Sequence, residues 1–174
     1  MLRAGLLYTW HAKTGALNVD FLLSNGASVN ETATEAQWTP LHCVTCGSAP
    51  PRCEDVNPRL EIAKVLLNYG AYLQATVLDG RIALHCAAQN GYVEIVRSLI
   101  EQGADVCAAT TGGEKILHSI CSIGNCPQIP ERISTPEMLL DRGANVDAGN
   151  ETGQHHCILG LMAGSANLFT LLVQ

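Results

Sequence analysis

Aromatic side chains are scarce in this chain: two Trp, two Phe and four Tyr amount to 5% of 174 residues. A core must then be assembled from aliphatic groups, and with 47% hydrophobic residues the chain can bury one made of Ala and Leu rather than rings. Basic residues are also few. Ten Lys and Arg stand against sixteen Asp and Glu, a net charge of −6, and the ten are scattered. A protein that tracks a nucleic-acid backbone needs clustered cations to displace counterions, so nucleic acid is excluded as a partner. No stretch approaches the ~18 apolar residues of a membrane span, which argues against membrane insertion. Catalytic signatures are missing as well. Gly112-Gly113 is not followed by Gly-Lys-Ser/Thr, so it is no phosphate loop. His155-His156-Cys157 offers a nucleophile beside a base but no third orienting group, and the chain is read as a non-enzyme that needs no cofactor.

What is present is repetition. Gly26-Ala27-Ser28-Val29, Gly70-Ala71-Tyr72-Leu73, Gly103-Ala104-Asp105-Val106 and Gly143-Ala144-Asn145-Val146 each follow an apolar, leucine-rich segment. Gly70 to Gly103 is 33 residues, as is His85 to His118, whereas Gly26 to Gly70 is 44 and Gly103 to Gly143 is 40. A unit that returns at such intervals cannot close a core alone and must lean on its neighbours. The longer intervals place inserts at about 47–58 and 125–134.

Within one unit, Val93, Ile95, Val96, Leu99 and Ile100 recur at helical spacing, with Glu94, Arg97, Glu101 and Gln102 on the other side. Gly103 stops that helix because glycine enters the left-handed conformation without steric penalty. Ile82 to Gln89 reads as a shorter first helix, and the turn-rich stretch from Asp105 to Gly113 as a projecting hairpin-like loop. Both inserts end in helix-start chemistry: Asn57-Pro58 before Leu60 to Leu67, and Ser134-Thr135-Pro136-Glu137 before Met138 to Leu140. Each unit is therefore loop, helix, helix.

Thr39-Pro40-Leu41-His42, and Asp79-Gly80-Arg81-Ile82-Ala83-Leu84-His85 continuing through Cys86-Ala87-Ala88-Gln89-Asn90-Gly91, resemble the ankyrin repeat, a 33-residue unit signed T-P-L-H-x-A. The resemblance is nearly complete over 79–111. It covers a single array of five units at about 3–35, 36–78, 79–111, 112–151 and 152–174, the first and last divergent or incomplete. It implies an all-α solenoid of helix-turn-helix units joined by β-hairpin-like loops. Leu6-Leu7 aligns with the start of the first unit, so Met1 to Trp10 is not read as a leader. The last unit breaks off at Gln174, which leads us to expect one region of a larger protein.

The resemblance further implies binding of a protein partner through the hairpin tips and the concave first-helix face, by a monomeric array. Carried over position by position, the tip residues are Gln37 and Trp38, Gly80 and Arg81, Gly113 and Glu114, with Gln154 in the fifth unit. First-helix candidates are Cys86, Gln89 and Asn90 in the third unit and Ser119, Ser122 and Ile123 in the fourth, with Tyr92 just after the helix turn. Trp38 and Arg81 are favoured, since Trp and Arg dominate interface hot spots. Asn30 resembles an asparagine that some ankyrin proteins have hydroxylated. A scaffold, ubiquitin-ligase adaptor or signalling protein, intracellular and cytoplasmic, is the expected parent.

Eight cysteines supply an alternative. Cys43-Val44-Thr45-Cys46, with Cys53 and His42, could offer soft ligands to zinc or a redox pair. Packing is the plainer reading, because Cys43 and Cys86 both follow the signature histidine, Cys121 matches Ala88 and Cys157 matches Leu84. Disulfides are not expected, since stacked helices need none and nothing points to export.

Overall fold

In the computed structural model the described residues are 16–32, 36–46, 56–121, 134–145, 149 and 151. Residues 3–15 and 33–35 of the first expected unit, all of the fifth, both inserts up to 55 and 133, and the candidates Ser122, Ile123 and Gln154 lie outside them. The described residues form seven helices: α1 (Ala16–Ser24), α2 (Pro40–Thr45), α3 (Val56–Asn68), α4 (Ala83–Asn90), α5 (Val93–Glu101), α6 (Ile116–Cys121) and α7 (Ser134–Asp141). No strand is found among them, and an isolated bridge joins Ala109 to Lys115 across a hairpin.

The helices form two layers. The first helices α2, α4 and α6 pack in succession, and so do the second helices α1, α3, α5 and α7, while α2–α3, α4–α5 and α6–α7 are the paired hairpins. One continuous core fills the space between the layers, with Leu41, Leu66, Leu84, Ile95, Leu99, Ile116 and Leu139 fully or almost fully buried. It is aliphatic, as the shortage of rings demanded.

The repeated Gly-Ala phrase is the stop signal of the second layer. Gly26, Gly70, Gly103 and Gly143 have φ between 79 and 92°. That conformation lets the following alanine N–H reach back to a carbonyl five residues earlier: Ala27 to Leu22, Ala71 to Leu66, Ala104 to Leu99 and Ala144 to Leu139, all 2.9–3.0 Å. The carbonyls that a helix end leaves open are satisfied in this way.

Two helix starts differ from the sequence expectation. α3 begins at Val56, ahead of Asn57-Pro58, and α7 begins at Ser134 itself. A proline in the first turn lacks only an N–H that has no helical partner there, so the helix can start upstream of it. Asn57 and Ser134 are therefore residues of the helical first turns rather than residues ahead of them.

One tip residue stands in an unfavourable conformation. Gln37 has φ 58°, at the position that Gly80 (φ 81°) and Gly113 (φ 75°) hold in the next two units. A side chain there costs roughly 1–2 kcal/mol, partly offset by the larger unfolded-state entropy of glycine. Gln37→Gly is therefore expected to raise stability by about 0.5–1 kcal/mol, read as a higher urea midpoint; an unchanged or lower midpoint would count against backbone strain at this tip.

Candidate protein-binding surface

The signature histidines are each bound within their own unit, and one of them reaches the next. The backbone N–H groups of Thr39, Ile82 and Lys115 point at Nδ1 of His42, His85 and His118, at 3.4, 3.3 and 3.1 Å. Nδ1 is therefore the acceptor, which leaves Nε2–H as the donor. In His42 this Nε2 lies 3.2 Å from the Arg81 carbonyl of the next unit, a link from one unit to its neighbour's backbone. Thr39 adds a side-chain cap, its Oγ1 accepting from the His42 N–H, and Ile82 in the third unit has no such group.

Burial disfavours the charged form of the His42 and His85 rings. For His42 desolvation lowers the pKa, against the opposing Arg81 carbonyl and the Asp79 charge. His85, with no exposed surface, is lowered to about 4, again chiefly by desolvation. The Glu114 carbonyl favours its charged form without closing a hydrogen bond of good geometry to Nε2.

The tips are built alike and touch one another. Val77 N–H donates to Arg81 O and Gly80 N–H to Val77 O; one unit later Thr110 donates to Glu114 O and Gly113 to Thr110 O. Thr111 N–H then donates 2.9 Å to Asp79 O, joining these two tips, and Glu151 N–H donates 3.3 Å to Gly112 O. Along the opposite ends of the units, Asn30 Nδ2 donates 3.0 Å to Gly70 O while its Oδ1 accepts from Tyr72 N–H at 2.7 Å. Gln74 and Cys107 occupy the equivalent position and reach the Gly103 and Gly143 carbonyls at 3.5 and 3.6 Å. Asn30 is thus a link between units.

On this frame the expected contact residues separate into two groups. Gln37 and Glu114 are exposed, and Trp38, Arg81, Gln89 and Asn90 are half-buried. Three others are corrected. Cys86 is 0% exposed, Tyr92 1% and Ser119 3%. Cys86 and Ser119 follow the histidine on the side of the first helix that meets the preceding first helix, so stacking covers them. Tyr92 sits after the left-handed Gly91, where its N–H closes the α4 end on Ala87 O and its ring enters the core beneath Arg59, whose guanidinium lies 5.6 Å from the ring centroid. None of the three can meet a partner from this position.

The half-buried candidates have internal work too. Arg81 Nε donates 2.7 Å to Asp79 Oδ2 and Nη1 donates 3.1 Å to Gln89 Oε1. Burial pulls the Asp79 carboxyl upward, but the bonds and charge of Arg81 outweigh it and hold its pKa below the ordinary value. Asn90 Nδ2 bridges Thr45 O and Cys86 O, at 3.0 and 2.9 Å, across two units. Trp38 leans its ring toward His42, centroids 6.4 Å apart.

Sequence reasoning missed Leu78. It stands 66% exposed on the tip between Val77 and Asp79, with Gln37 and Trp38 on the preceding tip and Thr111 at its own position on the next. Its signal was available: a leucine at the apex of a loop, outside both helical stripes, has no core position to fill.

The ligand set for zinc is not assembled. Cys46 is disulfide-bonded to Cys86, which also corrects the expectation that the cysteines stay reduced. Among the described residues no group of three or more His, Cys, Asp or Glu is placed to hold a metal, and Cys53 lies outside them. No helix of the described residues is long and apolar enough to cross a membrane.

The stacked hairpins, the left-handed glycine stops and the histidine links coincide with a family model for ankyrin repeats in three copies, which matches residues 53–150. The chain belongs to the ankyrin-repeat family. It is also similar to Rabankyrin-5 of Homo sapiens, 28% identical over 165 residues, an alignment covering 84% of this chain and 14% of that protein. The chain therefore spans about a seventh of the length of this ankyrin-repeat relative. Ankyrin repeats generally act as protein-interaction modules, and the repeated helical hairpins of the family are those of the structure described here.

Proposed function

We propose that this chain is a non-catalytic protein-interaction module, one array of five ankyrin repeats at the boundaries given above, that binds a partner protein through its tips and first-helix face. Its place would be in a larger scaffold, adaptor or signalling protein inside the cell. The observation that supports the reading is the row of tips: Gln37 and Trp38, then Leu78 and Arg81, then Glu114, on consecutive loops, the second tied to the third by the Thr111 N–H bond to Asp79 O and reached from the first unit of the row by His42 Nε2 at Arg81 O. A ligand meeting this row finds an apolar apex and a half-buried indole held without loss of conformational freedom, as an interface centre requires.

Leu78→Ser combined with Trp38→Ala is expected to reduce partner capture from a native lysate at least tenfold, scored by quantitative mass spectrometry, while helical circular dichroism is retained. Leu78→Ser alone, which touches no internal contact described above, should account for a measurable part of the loss. Capture of the same proteins at unchanged yield by the double variant would reject the tips as the binding edge. Arg81→Ala tests a separate role, since it also releases Asp79 and Gln89 and should loosen the tip itself.

A further inference from the structure

The Cys46–Cys86 bond joins two positions that differ in repeat register. Cys46 lies four residues after its signature histidine, at the end of α2, and Cys86 one residue after its own, in α4. In the next joint, between α4 and α6, the same two positions are Gln89 and Ser119, which cannot form a disulfide, and those helices pack all the same. The α2–α4 joint also has its own non-covalent ties: buried Leu41, Val44, Leu84 and Ala87, the His42 link to Arg81 O, and Asn90 to Thr45 O. The stack therefore does not depend on the crosslink, and opening it leaves two folded repeats in contact.

We propose that Cys46 and Cys86 are a reversible thiol–disulfide pair, exchanging with glutathione, that locks the first helices of the second and third repeats together when oxidised. Exposure sets the order of events. Cys46 is partly open to solvent and Cys86 is not. In closing, the Cys46 thiolate attacks glutathione disulfide, forming a mixed disulfide on Cys46 and releasing one glutathione thiolate. The Cys86 thiolate then attacks the Cys46 sulfur, and the second glutathione leaves. Two protein thiols are oxidised, and one glutathione disulfide is reduced to two thiols. Opening runs in reverse, with glutathione attacking Cys46 and Cys86 departing as the thiolate. Inside a cell, where thiols are normally kept reduced, the pair would rest open and close on an oxidising shift. The inference goes beyond partner binding and requires no partner.

The test uses the full 174-residue chain, equilibrated in buffers running from mostly reduced to mostly oxidised glutathione, acid-quenched and mapped as peptides without reduction. A Cys46–Cys86 crosslinked peptide is expected to rise from near absence to near completion within that range. The oxidised form should melt about 8 °C or more above the reduced form, as expected for closing a 40-residue loop. Both signals vanish in Cys46→Ser. In Cys86→Ser one glutathione accumulates on Cys46, whereas in folded Cys46→Ser the buried Cys86 stays unmodified. A crosslink that persists in the most reduced buffer would make the bond a static staple and overturn the proposal. So would Cys46 pairing with Cys43 or Cys53 instead, or no crosslink at any ratio.

Discussion

Gly80→Ala is expected to destabilise the protein by about 3 kcal/mol or more, far beyond the effect of the same change at the helix-stop glycines. Gly80 has φ 81°, and a Cβ built on it meets the Thr111 backbone nitrogen at 2.6 Å and the Thr110 carbonyl carbon at 3.0 Å. Both obstacles are backbone atoms of the next tip, so neither can swing aside. Relief requires separating the tips, which breaks the Thr111 N–H and Oγ1 bonds to Asp79 O, at 2.9 and 3.0 Å. Left-handed strain contributes ~1–2 kcal/mol, and the lost hydrogen bonds ~1 kcal/mol each. Gly103→Ala is the control. Its φ is 92°, but nothing lies within 4 Å of the added carbon, so only the conformational term of ~1–2 kcal/mol remains. Urea titration of the two variants side by side decides the matter. Equal losses would mean that tip-to-tip contact contributes nothing to the stack.

Lowering the pH from 7 to 5 is expected to remove about 2 kcal/mol of stability through His85 alone. The folded pKa of about 4 lies below the ordinary histidine value of 6.5. Between those values the unfolded chain binds a proton that the folded chain refuses, so stability rises with pH in that window. The contribution is fully present above 6.5, declines as the pH falls, and reaches about 3 kcal/mol of loss once the pH is below 4. His42, lowered in the same direction by the same desolvation, steepens the slope. Chemical denaturation at successive pH values measures it directly, and a flat profile from pH 7 to 5 would show that His85 takes up its proton inside the fold.

Local chemistry made much of this architecture legible. The spacing of Val93, Ile95, Val96, Leu99 and Ile100 predicted a helix with one wet side, and in α5 Ile95, Val96, Leu99 and Ile100 are buried while Glu94 and Arg97 are exposed. Gly103 predicted the stop, and its positive φ and the Ala104 bond supply it. The recurrence of the histidines was legible, whereas the bond from His42 Nε2 to Arg81 O depends on how two units meet. The helix starts after the inserts were less legible. A proline marks a first turn but does not say whether one or two residues precede it.

The surface was harder to read, because exposure in a stack depends on how far each unit is rotated and shifted against the next. Cys86 and Ser119 share a register position, and both go under the neighbouring helix. Had the first helices been turned by a fraction of their circumference, both would have faced solvent. Tyr92 illustrates a different limit: a tyrosine after a glycine turn reads as a surface residue until the turn is seen to fold it back into the core beneath Arg59.

Periodicity and the conformational range of glycine are properties of short segments, and so the sequence by itself determined the helical hairpins, their ends, their aliphatic core and their membership of one repeating family. Distances between residues of different units follow from no short segment. Only the tertiary structure could decide that Cys46 meets Cys86 rather than its helical neighbour Cys43, that Leu78 is left outside, and that Gly80 lies hard against Thr111, because each is set by the packing of whole units on one another.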